Sequence, residues 1–232
     1  MPKLTTIGFD ADDTLWENEH FFRLTEERFQ ELLAGYIKAE NVSAHLLEAQ
    51  RRNLGRYGFG IKGFMLSMVE TAIDVTDGHV PASVISKILE AGREMLAHPV
   101  HLLPDVQETL ERLQRDYRLI LITKGDLFDQ ERKLAQSGLG NMFDGVEIVS
   151  NKTAETYDRI FNHYGDGTRQ SMMVGNSLRS DVLPAIEVGS WGVFVPHDLT
   201  WVIEHAEKPE DEPRFRQIST LRQLPELTAA LE

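Results

Sequence analysis

A chain of 232 residues with 41% hydrophobic content is long enough to bury a sizeable core, as one large domain or as a domain carrying an insertion. Its formal net charge of -13 works against binding a polyanion over a broad surface, so nucleic acid is not an expected partner and an anionic small molecule needs a local positive spot. Having no cysteine rules out disulfides, zinc-thiolate sites and thiol catalysis, and with no run of about 18 apolar residues and no apolar signal core a soluble cytoplasmic protein is expected, not bound to membrane.

Residues 4–9 form a short apolar-leaning run that stops at a cluster of acids, as a buried strand stops where it meets a site. Phe22, Thr25, Phe29, Leu32, Leu33, Tyr36 and Ile37 then share one helical face, and further helical patterns follow at about 43–57, 62–75 and 81–97. Glycines at 55, 58, 60 and 63 punctuate a corner among them. Short apolar runs recur at 118–122, 145–149, 171–174 and 192–195, with helices such as 106–115 and 178–188 between them; an acidic loop at 207–213 precedes a final strand and helix. Alternating strands and helices imply crossover units, hence a Rossmann-like open parallel α/β sheet with helices on both faces. The first crossover is far too long for one helix, which predicts a catalytic core of residues 1–15 and 100–232 and an inserted all-helical cap at 16–99.

Chemistry concentrates at four strand ends. In Phe9-Asp10-Ala11-Asp12-Asp13-Thr14, three carboxylates within four residues repel one another, and a hard, oxygen-seeking divalent cation would offset that. Asp10 and Asp12 share a face of an extended segment, so one can attack phosphorus while the other moves protons. Read alone, residues 12–14 also fit a helix cap. Thr123, after the run 119–122, can donate to a phosphoryl oxygen or cap the next helix. Lys152 supplies the positive spot that an acidic protein needs to hold a phosphate, and Lys124 is the alternative. In the run 173–181, Gly175 permits a tight turn while Asn176 and Asp181 offer oxygens to a cation. Open α/β sheets bind ligands where the carboxyl ends of strands meet, which is where all four clusters fall.

Together these motifs resemble the haloacid dehalogenase-like hydrolase superfamily. Asp10, Asp12 and Thr14 match its first motif, Asp-x-Asp-x-Thr; Thr123 its second; Lys152 its third; and Gly175-Asn176-Ser177 with Asp181 its fourth, Gly-Asp-Ser-x-x-x-Asp. The resemblance implies a phosphatase with a helical cap of the first type. Asp10 forms an aspartyl-phosphate, Asp12 protonates the leaving alcohol and then activates water, and Mg2+ is held by Asp10, the Asp12 carbonyl, Asn176 and Asp181. Asn176 departs from the family's Asp and predicts weaker metal binding. Lys152 departs too, lying almost on its strand end and followed by threonine where the family more often has proline.

Other readings stay open. A dehalogenase shares the nucleophile but has no need of Asp12; a phosphomutase uses both acids; phosphonate cleavage would call on a cap lysine such as Lys38 or Lys62. A catalytically weak phospho-ligand-binding module is the reading that Asn176 favours. The cap corner Arg51, Arg52, Asn53, Arg56, Tyr57 and Lys62 could read a second anionic group, with Arg56, Lys62, Thr14 and Lys124 the named substrate contacts and Trp16, Phe59 and Phe64 an apolar wall. The expected partner is a small phosphorylated metabolite; the oligomeric state is not legible.

Overall fold

The computed structural model describes residues 3–231. Six parallel strands form one sheet in the order β3-β2-β1-β4-β5-β6, with β1 Thr6–Phe9, β2 Arg118–Lys124, β3 Gly145–Val149, β4 Ser171–Gly175, β5 Trp191–Phe194 and β6 Phe215–Gln217. The helices are α1 Glu19–Leu33, α2 Ala39–Tyr57, α3 Ile61–Val75, α4 Ala82–Ala97, α5 Val106–Leu113, α6 Leu127–Ser137, α7 Ala154–Tyr164, α8 Leu183–Glu187 and α9 Leu224–Ala230. This is the expected Rossmann-like architecture. The strand order reverses at β1, so the crevice at the carboxyl ends of β1 and its neighbours is where a ligand belongs.

The inner strands β1, β2, β4 and β5 are buried on both faces, which is why they read as continuous apolar runs, whereas the edge strands β3 and β6 are partly exposed. Ile7, Phe9, Leu119, Leu121, Met172 and Val174 pack on one face with Val106 and Leu110 of α5 and Leu224 of α9. Ile120, Ile122 and Met173 pack on the other with Tyr157, Ile160 and Phe161 of α7. Gly8 sits where the second face is tightest: a Cβ there would stand 2.8 Å from Ile122 Cδ1 and 3.2 Å from Phe161 Cε1.

The chain divides into two compact units. One comprises Met1–Glu19, Val100–Lys124 and Gln130–Glu232; the other comprises His20–Pro99 and Gly125–Asp129. The second unit is helical, with its own core of Phe29, Leu33, Val42, Leu46, Ile61, Phe64, Met68, Ile88 and Met95. Tyr36 does not join it, because α1 ends at Leu33 and the chain then turns, leaving Tyr36 48% exposed. Trp16 is fully buried in the core of the first unit.

The helix expected over 178–188 is two pieces. A wide π turn spans Leu178–Val182, and α8 begins at Leu183. Pro184 has no N–H to continue an upstream ladder, and the N–H groups of Asp181 and Val182 both reach back to the Ser177 carbonyl, at 3.0 and 3.2 Å. The wider turn brings the Asp181 carboxylate back under Ser177, whose N–H donates to its Oδ2 at 2.9 Å.

Candidate active site

Asp10 follows β1 directly, its N–H bonded to the Val174 carbonyl of β4 at 2.9 Å, so the central strand aims it into the crevice. Its side chain is 11% exposed. Burial pushes its pKa up to about 7; the nearby Asp181 adds to this, and Lys152 opposes it. The Lys152 ammonium, itself buried, donates to Asp10 Oδ1 and to Asp181 Oδ1, the latter at 2.7 Å. Burial works against that ammonium, but the two carboxylates outweigh it and hold the lysine's pKa above its ordinary range. Two buried acids thus share one buried base.

Asp181 needs room to reach this position. A Cβ on Gly175 would lie 2.2 Å from Asp181 Oδ2, so only glycine lets the end of β4 pass so close to the carboxylate. Both Asp181 oxygens are engaged, one by Lys152 and the other by the Ser177 N–H.

The other three acidic and hydroxyl groups of the first motif diverge. Residues 11–16 form a tight loop in which the Asp13 N–H bonds the Trp16 carbonyl at 2.7 Å and Asp13 takes a left-handed φ of 59°. Asp13 turns away from Asp10 to accept from the N–H groups of Asn18 and Glu19 at 2.9 and 3.0 Å, the capping role that residues 12–14 also fitted. Burial raises its pKa to about 6. Asp12 points elsewhere: Trp16 Nε1 and Lys133 Nζ donate to its Oδ1, and Gln130 Nε2 to its Oδ2, each at 2.7 Å. Thr14 is buried, and its hydroxyl accepts from the Asn176 N–H at 3.1 Å.

Lys124 and Lys152 separate cleanly. Lys124 Nζ donates to Ser180 Oγ at 2.6 Å and to Glu204 Oε1, not to Asp10. Glu204 also accepts from Ser177 Oγ at 2.6 Å and from Ser180 Oγ. Burial opposes its charge, but Lys124 and the two serines prevail and hold its pKa below the ordinary carboxylate value. Thr123, 1% exposed, is the last residue but one of β2. The remaining named residues, Arg56 and Lys62, lie in the helical unit: Arg56 is exposed on α2, and Lys62 pairs with Asp126 at 2.8 Å. Asn53 of the same corner is buried and donates to Glu70 at 2.8 Å.

Whether these groups suit a cation is decided at Asn176. Placed with its side-chain oxygen toward the site, that atom is 3.1 Å from Asp10 Oδ2 and 3.2 Å from the Asp12 carbonyl, three oxygens facing one another with no proton between the amide and the other two. Oxygens at the corners of an octahedron around Mg2+ stand about 3 Å apart, so in this orientation the three would suit a cation. With the amide turned over, its NH2 donates to the same two oxygens and to Thr14 Oγ1 at 3.2 Å. Among the described residues no three His, Asp or Glu side chains gather in a form that could hold a metal ion. The donor set here is instead one carboxylate, one carbonyl and one amide.

Sequence reasoning passed over Lys133, Gln130 and Glu204. A glutamine and a lysine three apart on α6 read as a solvated helix face, and Glu204 reads as part of a rim loop; only their burial shows otherwise.

A parallel sheet whose central strand presents an acid pair beside a buried lysine defines a hydrolase of the haloacid dehalogenase-like class. Residues 4–189 match that family, and the chain belongs to it. A haloacid dehalogenase-like family hydrolase from Xanthomonas campestris is 41% identical, with a TM-score of 0.88 over 98% of this chain and 91% of that one. The glyceraldehyde 3-phosphate phosphatase of Methanothermobacter thermautotrophicus is 24% identical over 215 residues, 88% of this chain and 92% of the relative. L-2-haloacid dehalogenase from Xanthobacter autotrophicus, 18% identical, shares the fold with a TM-score of 0.69 over 99% of this chain and 100% of that one. Among the described residues no helix is long and apolar enough to cross a membrane.

Proposed function

We propose that this hydrolase is a Mg2+-dependent phosphatase that cleaves a small phosphate monoester through an aspartyl-phosphate on Asp10. The observation that carries the reading is the buried Asp10–Lys152 pair with a second acid, Asp12, two residues on; beside it Asp10 Oδ2, the Asp12 carbonyl and the Asn176 amide form a polar cradle. A carboxylate attacking carbon to displace a halide needs neither the cradle nor a second acid, so the dehalogenase reading is disfavoured even though dehalogenases share the fold. The archaeal relative, a phosphatase for a small sugar phosphate, supports the substrate class.

The chain's own residues divide the work. Asp10 attacks phosphorus as the ester oxygen departs, and Asp12 supplies that oxygen's proton; Asp12 then takes a proton from the water that cleaves the phospho-aspartate. Lys152 holds Asp10 in line and offsets charge in a site shielded from water, while Thr123 donates to a phosphoryl oxygen. Held by Asp10, the Asp12 carbonyl and Asn176, Mg2+ would neutralise phosphoryl oxygens. Steady hydrolysis of p-nitrophenyl phosphate with Mg2+ that stops with excess chelator is the expected result. Retained binding of phosphate esters with no turnover would instead favour a phospho-ligand-binding module.

The cradle also carries a prediction. Asn176→Asp adds a charge to the donor set and is expected to tighten Mg2+ binding by about tenfold, measured by calorimetry, since the number of charged ligands tunes the affinity of oxygen sites. Unchanged or weaker binding would place the cation elsewhere.

A further inference from the structure

The donors around Asp12 point to a positioning role that the four motifs do not contain. A carboxylate has about four acceptor positions, two on each oxygen. Trp16 Nε1 and Lys133 Nζ fill both on Oδ1, and Gln130 Nε2 fills one on Oδ2, all at 2.7 Å. One position remains, on Oδ2.

The three donors are fixed by their surroundings. Trp16 is fully buried, Gln130 is 3% exposed and Lys133 is 7% exposed. Gln130 and Lys133 are three apart on α6, so one helix face presents both. Lysine is almost never this buried without a partner, and Lys133 has Asp12 as well as the Asn18 side-chain oxygen at 3.1 Å. Gln130 gives its amide to Asp12 and to the Lys124 carbonyl at 3.1 Å, while its own Oε1 is buried with no hydrogen-bond partner. An acceptor left without a partner is unfavourable, and here it accompanies an amide turned to face Asp12.

We infer that Lys133, with Trp16 and Gln130, is a positioning residue that occupies Oδ1 of Asp12 and leaves Oδ2 as the oxygen that exchanges protons with the leaving group and the water. The inference rests on the phosphatase reading, in which Asp12 serves both steps. Without Lys133 the carboxylate can rotate about its Cβ–Cγ bond, and Oδ2 no longer has a fixed place. Esters whose leaving oxygen needs a proton, such as alkyl phosphates, then suffer most in the first step. Esters of acidic phenols, which leave unaided, suffer least there.

The test compares wild type, Lys133→Met and Lys133→Arg on an alkyl phosphate and on p-nitrophenyl phosphate, with the first turnover followed by rapid quench. Lys133→Met is expected to slow first-turnover cleavage of the alkyl ester by about 100-fold, the scale of a general-acid contribution, and that of the nitrophenyl ester by under tenfold. KM should stay within about threefold for both, and Lys133→Arg should recover most of the loss. Gln130→Met supplies an independent variant if Lys133→Met does not fold, and should show the same bias toward the nitrophenyl ester. Equal losses on both esters, or no loss on the alkyl ester, would overturn the inference while leaving the phosphatase reading standing. A wild-type protein that cleaves neither ester would overturn the phosphatase reading, and this inference with it.

Discussion

Asp10→Asn is expected to abolish turnover, by about 10⁴-fold or more, and at the same time to raise the melting temperature of the metal-free protein on the alkaline side. The kinetic half follows from removing the carboxylate that bonds phosphorus in the proposed mechanism. The stability half follows from linkage. Asp10 binds its proton more tightly folded than unfolded, since burial lifts its pKa from 3.8 to about 7. Its contribution is therefore fully present below 3.8 and is lost as pH rises through about 7, where the buried carboxylate must carry its charge. An asparagine has no such charge to carry, and Lys152 keeps Asp181 as its partner. Calorimetric melting in chelator should show the variant more stable than wild type at pH 8, with the gap narrowing toward pH 5. A gap independent of pH would mean that the Asp10 charge is not the source of the instability. On the proposed mechanism the nucleophile is thus kept at the expense of stability, as active sites often are.

Lys152→Met makes the opposite trade. Lys152 Nζ bonds both Asp10 and Asp181, and its side chain and that of Asp181 are each 1% exposed. Removing it leaves two carboxylates facing each other with no counter-charge, and breaking a buried pair in this way costs about 3–5 kcal/mol. Turnover should fall by about 10³-fold as well, because a preorganised cation acts on charge that develops during transfer. Denaturant midpoints and single-turnover rates read the two effects separately. If the variant is as stable as wild type, the three side chains are not the coupled unit their distances describe. Combining Lys152→Met with Asp10→Asn should restore part of the lost stability, since one of the two unpaired charges is gone; neighbours in one network are not additive.

The core of the fold was legible because parallel strands buried on both faces leave unbroken apolar runs. Residues 145–149 and 171–174 were located almost to the residue, against β3 Gly145–Val149 and β4 Ser171–Gly175. The helical insertion was legible by elimination, from the length of the first crossover. What periodicity could not tell was turn width: an apolar pattern over 178–188 fits a continuous helix as well as a π turn followed by α8, and only the bonds to the Ser177 carbonyl distinguish them.

Asp10, Asp12, Lys152 and Asn176 could be read as site candidates because each follows a strand. The partners of Asp12 and Lys124 could not. Asp12 meets Lys133 and Gln130 from more than 100 positions along the chain, and Lys124 meets Glu204 from 80 positions away. Charge pattern alone cannot say which lysine is turned inward. Lys124 donates to Ser180 and to Glu204, which also accepts from Ser177, while Lys152 donates to Asp10. Asp13 looked equivalent to its acidic neighbours in sequence, yet its left-handed φ turns it to the N–H groups of Asn18 and Glu19.

The central placement of β1 has a consequence for how the molecule comes into being. β1 is made first, but its two neighbours in the sheet begin at Arg118 and Ser171. Until both have emerged from the ribosome, β1 has at least one unpaired edge. Pairings this distant in sequence make folding slow. Glu204 comes later still, and with it the ligature on Lys124. A nascent chain halted short of that residue would hold Asp10, Lys152 and Asn176 in sequence, yet lack Glu204, the partner of Lys124. Catalytic competence should therefore appear late in synthesis, after most of the sheet has closed around a strand that was waiting from the start.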